Sequence, residues 1–216
     1  VKRIHVAQFF DGEHFVNDKV LRVDAGIITA IDDNVQQADE HLTGLVAPGF
    51  IDLQVNGGGG ELFNRTSSVA GVKKILLAHA KYGTTAMLPT LITDTVEVMR
   101  QAADVIAKAI AQKTPGIIGI HFEGPHLSVA KKGAHSADFI RPISEQEWQV
   151  LSRQDLGKVV VTLAPENVLP SDITKMCDLG IQVCLGHTNA SFEQAQQGVD
   201  AGATGFTHLY NAMSPL

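Results

Sequence analysis

The sequence predicts an α/β fold, a TIM-like (β/α)8 barrel with about six of its eight strands present, preceded by a small β unit. Three observations predict it. From Pro48 onward, short β-branched runs alternate with helical patterns of crossover length. Polar residues suited to chemistry fall only where those runs end. They come from several strands, whereas an open doubly wound sheet gathers its site at one switch point.

Residues 1–46 read as a separate part. The runs 3–10, 15–23 and 26–31 are β-like, with Asp11-Gly12 and Asp24-Ala25-Gly26 as turns, which suits a small antiparallel unit. Residues 47–216 read as the barrel, opened by Pro48-Gly49 and a strand over 50–55. An amphipathic helix over 69–82 places Val72, Ile75, Leu76 and His79 at helical spacing. A strand over 84–88 and a helix over 96–112 follow. The run 116–120 is short, apolar and β-branched, a strand covered on both faces that leads to Glu123. After a long loop come helices over 144–153, 171–179 and 191–201, interleaved with strands over 158–164, 181–187 and 204–208. Six strands cannot close an eight-stranded barrel, so these residues are expected to be the N-terminal part of a longer polypeptide. Val1 in place of Met suggests trimming.

Composition narrows the function. Hydrophobic content of 44%, charged content of 19% and a formal charge of −6 suit a globular enzyme. There is no basic run to neutralise phosphates, so nucleic acid is not an expected partner. No apolar segment approaches the ~20 residues of a membrane span, and no signal peptide opens the chain. Cys177 and Cys184 lie in apolar surroundings at no metal or redox spacing and read as buried thiols, which points to the cytoplasm.

The chemistry gathers at three strand ends. Glu123 lies in His121-Phe122-Glu123-Gly124-Pro125-His126, His187 ends Cys184-Leu185-Gly186-His187, and His208 ends Thr204-Gly205-Phe206-Thr207-His208. Zinc accepts imidazole nitrogen and carboxylate oxygen, and two His with one Glu plus a water is an attested catalytic set. A metal held this way lowers the pKa of its bound water to about 7. The cofactor expected is one divalent ion, Zn²⁺ by ligand type, and the activity a metal-assisted hydrolysis. His121 and His126 flank Glu123 and read as supporting or packing residues. The Gly57-to-Gly60 run lacks the Gly-Lys-Ser/Thr of a nucleotide loop and reads as an active-site turn.

Several motifs stand in order: Pro48-Gly49-Phe50-Ile51-Asp52-Leu53-Gln54-Val55-Asn56-Gly57, the Glu123 segment, Lys131-Lys132-Gly133-Ala134-His135, Leu163-Ala164-Pro165-Glu166, Gly186-His187-Thr188-Asn189-Ala190 and Thr207-His208-Leu209-Tyr210-Asn211-Ala212-Met213. Together they resemble the N-acetylglucosamine-6-phosphate deacetylase family of the amidohydrolase superfamily. The resemblance implies a metal-dependent hydrolase barrel with a small β-sandwich domain, of which 1–46 would be the N-terminal part. It also implies hydrolysis of N-acetyl-D-glucosamine 6-phosphate to D-glucosamine 6-phosphate and acetate, by a homodimer. The superfamily usually carries His-x-His on the first barrel strand. Here those positions are Gln54 and Asn56, so one tightly held metal is expected, with the two amides beside it.

By the same resemblance Ala134 contacts the sugar phosphate through its backbone, and His135 binds substrate and polarises the acetamide carbonyl. Asn211 and Ala212 offer backbone amides to the phosphate, and Lys131 and Lys132 are candidates for steering it. The family's general-base Asp and further phosphate-binding residues match nothing in 1–216, so this stretch alone is expected to be inactive. Two alternatives stand beside the main reading: an amidohydrolase acting on N-acetylgalactosamine 6-phosphate, and a non-catalytic sugar-phosphate-binding barrel, against which the intact Glu123, His187 and His208 set argues.

Overall fold

The computed structural model describes all residues except 34, 36, 37, 67, 215 and 216. They form two compact units, Val1–Phe50 and Ile51–Leu216.

In the first unit, β1 (Lys2–Phe10), β2 (Phe15–Asp24), β3 (Ile27–Asp32) and β4 (Glu40–Val46) make a sheet of order β3-β2-β1-β4. The Asp11 carboxylate accepts the amides of Glu13 and His14 at 2.8 Å and so closes the first hairpin. Ala25 and Gly26 both take positive φ, the requirement of a two-residue turn between twisted strands. Val6, Phe9 and Leu21 form its small core. The three expected strands pair antiparallel, and β4, a strand not expected from sequence, adds to them by running parallel to β1. Its sequence, polar and interrupted by Gly44, carries no alternating pattern that would have marked it as a strand.

The second unit alternates strand and helix: β5 (Phe50–Val55), a hairpin of β6 (Gly57–Gly58) and β7 (Glu61–Leu62), α1 (Val69–Ala80), β8 (Thr84–Ile92), α2 (Val96–Ala111), β9 (Gly119–Glu123), α3 (Glu145–Leu151), β10 (Lys158–Leu163), α4 (Pro170–Asp178), β11 (Gln182–Leu185), α5 (Phe192–Asp200) and β12 (Gly205–Phe206). The sheet order is β12-β11-β10-β9-β8-β5, with parallel ladders from β8 through β12. Ser68, Thr95 and Ser191 cap α1, α2 and α5 by accepting a backbone amide of the first turn. Strand side chains such as Ile120, Phe122, Val161, Leu163, Val183 and Leu185 pack with helical Ile75, Ala103, Ile106, Ile173 and Met176 in one core.

Several strands differ in extent from the expectation, among them the strand expected over 181–187, which is Gln182–Leu185. Pro89 reads as a breaker, yet β8 continues to Ile92, because pairing resumes beyond it at Thr90↔His121, Leu91↔Phe122 and Ile92↔Glu123. The strand expected over 116–120 begins at Gly119 and ends on Glu123 itself, Gly116 having turned out at positive φ. The last strand shrinks from 204–208 to Gly205–Phe206.

A buried ion pair anchors the long β9–α3 connection. Glu147, fully buried, accepts Arg141 Nε at 2.6 Å, and Arg141 Nη1 donates to Asp94 O and Phe139 O. Glu147 also closes the capping box of α3 with Ser144. Burial alone would raise the Glu147 carboxyl, but its bonds to Ser144 and Arg141 hold it below the usual range. A depressed carboxyl contributes stability above its unfolded pKa of about 4.3, and that stability fades as pH falls towards the folded value. Glu147→Gln is therefore expected to lose about 1–3 kcal/mol at pH 7 and to flatten the acid limb below about pH 4.3, as read by urea unfolding across pH.

Candidate metal centre and substrate cavity

The rim at the C-terminal strand ends holds a cavity of about 440 Å³, within the range of small-molecule sites. Glu123, His187 and His208 line it, as do Gln54, Asn56, Ala134, His135, Asn211 and Ala212, whereas Lys131 and Lys132 are not among its lining residues. Thr90↔His121 and Thr162↔Glu123 belong to the registers that bring the ends of β8, β9 and β10 level.

Glu123 closes β9, is 2% exposed, and is the hub. Its Oε1 lies 2.9 Å from Gln54 Nε2, 3.1 Å from His187 Nε2 and 3.0 Å from His208 Nε2. Its Oε2 is 3.8 Å from His135 Nε2. The rings of His135 and His187, and of His187 and His208, meet edge to face at centroid separations of 4.5 and 5.0 Å. His187 and His208 both stand at positive φ, 49° and 56°, a conformation that turns each side chain off its strand towards the carboxylate. Burial alone would raise the Glu123 carboxyl; the His135 and His187 imidazoles overcome that and hold it well below the usual carboxylate range. Burial alone would lower His187, but the Glu123 carboxylate and the Lys131 carbonyl raise it.

The donor set fits a divalent cation. His187 Nδ1 lies 2.9 Å from Lys131 O, which can only accept, so the neutral ring carries its hydrogen there. Its Nε2 then points a bare lone pair at a carboxylate oxygen 3.1 Å away. Two lone pairs so placed repel unless a positive charge sits between them. Asn56 Nδ2, buried and without a hydrogen-bond partner among the described residues, adds an unsatisfied amide to the same space. Ligand atoms of Glu123, His135 and His187 lie within 4.8 Å of one another, and His208 Nε2 reaches the same carboxylate, so two imidazoles compete for the third position.

Further residues around the cavity have these partners. The backbone amides assigned to phosphate have internal partners: Asn211 N donates to His208 O at 2.7 Å and Ala212 N to the Asn211 side chain at 3.1 Å. Lys132 Nζ turns back on His135 O, and the Lys131 carbonyl meets His187 Nδ1. His121 is buried and bonded to Leu53 O and Thr162 Oγ1, with burial pushing its imidazole down. His126 likewise holds Arg141 O. Two residues have supporting roles that the sequence did not assign. Glu166 fixes the His187 loop through Thr188 Oγ1 and Asn189 N, and Thr93 contacts His135. Thr93 is the polar residue that follows β8, a signal hidden because the strand was read only to Leu88.

The profile of the amidohydrolase family matches residues 45–215. The chain belongs to the amidohydrolase family. Its six-stranded sheet fits the TIM-like fold of that family. This amidohydrolase is 53% identical over 174 residues to an N-acetylgalactosamine-6-phosphate deacetylase of Shewanella sp. (strain ANA-3), covering 81% of the chain and 44% of that protein. It is 38% identical over 168 residues to an N-acetylglucosamine-6-phosphate deacetylase of Haemophilus influenzae, covering 78% of the chain and 44% of the relative. Among solved structures, N-acetylglucosamine-6-phosphate deacetylase from Pasteurella multocida superposes with a TM-score of 0.90 at 37% identity, over 99% of this chain and 58% of that one. The chain thus spans under half the length of these two curated relatives.

Glu123→Gln keeps the shape of the hub and removes its charge. It is expected to weaken Zn²⁺ binding by at least about a hundredfold, measured by calorimetric titration with the metal alone.

Proposed function

We propose that this chain carries the metal centre and acetamide-polarising residue of an N-acetylglucosamine-6-phosphate deacetylase, which converts N-acetyl-D-glucosamine 6-phosphate to D-glucosamine 6-phosphate and acetate. The observation that carries this reading is the convergence of Gln54, His187 and His208 on one oxygen of Glu123, beside His135, in a single cavity. The similarity to deacetylases of amino-sugar 6-phosphates supports the substrate class.

In this proposal Glu123, His187 and His208 hold one divalent ion, and Gln54 and Asn56 stand beside it. Two imidazoles and one carboxylate suit Zn²⁺ better than a harder cation. Such an ion supplies Lewis acidity and an activated water. His135 donates to the acetamide oxygen as charge builds on it, a contribution of the oxyanion-hole kind. Ala134 borders the same space and contacts the sugar through its backbone. Arg141 and Glu147 anchor the loop that carries His135 and so keep that ring in place.

Residues 1–46 are proposed as the N-terminal part of a small β-sandwich domain and residues 47–216 as part of the barrel. The enzyme is proposed to act as a cytoplasmic homodimer. No helix among the described residues is long and apolar enough to cross a membrane, and both cysteines are free.

A second reading has its own support: the galactosamine-named relative is the more identical of the two above, 53% against 38%. Rates of acetate release by the full-length protein on both epimers decide between them. A kcat/KM at least about tenfold higher on one epimer names the substrate, a margin of about 1.4 kcal/mol in transition-state binding. Chelation is expected to abolish release on either sugar and Zn²⁺ to restore it. His135→Asn is expected to lower kcat by about 10²–10³ while bound metal, measured by elemental analysis, stays stoichiometric. Loss of the metal instead would place His135 among the ligands.

A further inference from the structure

The His135 ring is held from behind by one residue, Thr93, which follows β8 and is 5% exposed. The Thr93 backbone N–H points at His135 Nδ1 at 3.2 Å, and the Thr93 hydroxyl lies 2.8 Å from the same nitrogen. A backbone amide can only donate, so Nδ1 must be an acceptor there. A hydrogen on Nδ1 would face the amide hydrogen head-on. The hydroxyl can reach either Nδ1 or Glu123 O at 3.2 Å, and donation to the nearer nitrogen removes the clash of lone pairs. From this geometry we infer that Thr93 is a positioning residue that fixes the tautomer of His135, placing its hydrogen on Nε2, the nitrogen that faces the cavity.

The neighbouring histidine is set the opposite way. His187 gives its Nδ1 hydrogen to Lys131 O and keeps Nε2 bare. Two imidazoles 4.5 Å apart thus carry opposite tautomers, one set by the Thr93 amide and hydroxyl acting together and the other by the Lys131 carbonyl. One presents a lone pair, as a metal requires, and the other an N–H, as a carbonyl requires. His135 Nε2 is 3.8 Å from the Glu123 carboxylate, beyond hydrogen-bond reach, so its hydrogen remains available to a ligand. This resolves the competition for the third metal position in favour of His208.

The chain also makes room for the hydroxyl. A Cβ on Gly124 would lie 2.2 Å from Thr93 Oγ1, so only glycine next to Glu123 lets Thr93 stand where it does. The same glycine has φ +85°, a conformation other residues avoid.

The inference rests on the proposed function for its kinetic arm and on none of it for its spectroscopic arm. In the full-length protein, ¹⁵N correlation spectra of histidine at neutral pH should show His135 with a pyrrole-like Nε2 and an acceptor-like Nδ1. Thr93→Val is expected to pull the two shifts together and to lower kcat about tenfold, the rate equivalent of one hydrogen bond, with KM within about twofold. Thr93→Ser should restore both. A pyrrole-like Nδ1 in the unaltered protein overturns the assignment, and so do unchanged shifts and kcat in the valine variant. If the shifts behave as described but neither acetamido sugar phosphate is turned over, the tautomer assignment stands and the substrate reading falls.

Discussion

One oxygen of one carboxylate organises the rim. Glu123 Oε1 is where an amide from β5 and imidazoles from the ends of β11 and β12 meet, so four strands of the sheet are tied at a point. A buried carboxylate is tolerated only when it is matched by donors or a cation, and the ordinary penalty for leaving it alone is several kcal/mol. The strands must therefore end level, in the registers observed, or the charge is stranded. The hydrophobic core sets the sheet, and this polar knot decides which ends of it face one another.

Around that knot the loops divide the work. On one side, the β8 exit and the β9–α3 connection bring Thr93 and His135 together, with Arg141 and the buried Glu147 fixing where the connection runs. On the other, Glu166 grips the segment after His187 by its hydroxyl and amide. Lys131 joins the two sides, because its carbonyl orients the His187 ring from within the loop that carries His135. The backbone thus supplies much of the electrostatic instruction, and the side chains deliver it.

How much of this was legible depends on how local each feature is. Glu123, His187 and His208 could be read because each follows an apolar, β-branched run whose end is marked by a change in texture. His135 lies in mid-loop, where no periodicity marks it, and only the resemblance pointed to it. Thr93 was obscured by Pro89, which looks like a terminator in isolation but sits inside β8 because pairing with β9 continues beyond it. β4 was invisible for a different reason: its partner is β1, far back in the chain, and that pairing overrides a polar, glycine-bearing sequence. Asn211 and Ala212 came from the motif alone; both border the cavity, and the turn that carries them gives each amide a partner within it.

The left-handed backbone at His187 and His208 has a consequence for anyone redesigning this protein. Asparagine or glycine is more comfortable there by roughly 1 kcal/mol, so a search guided by thermostability alone would select those replacements early. Sturdier molecules obtained that way would have traded away the two imidazole nitrogens that meet at Glu123 Oε1.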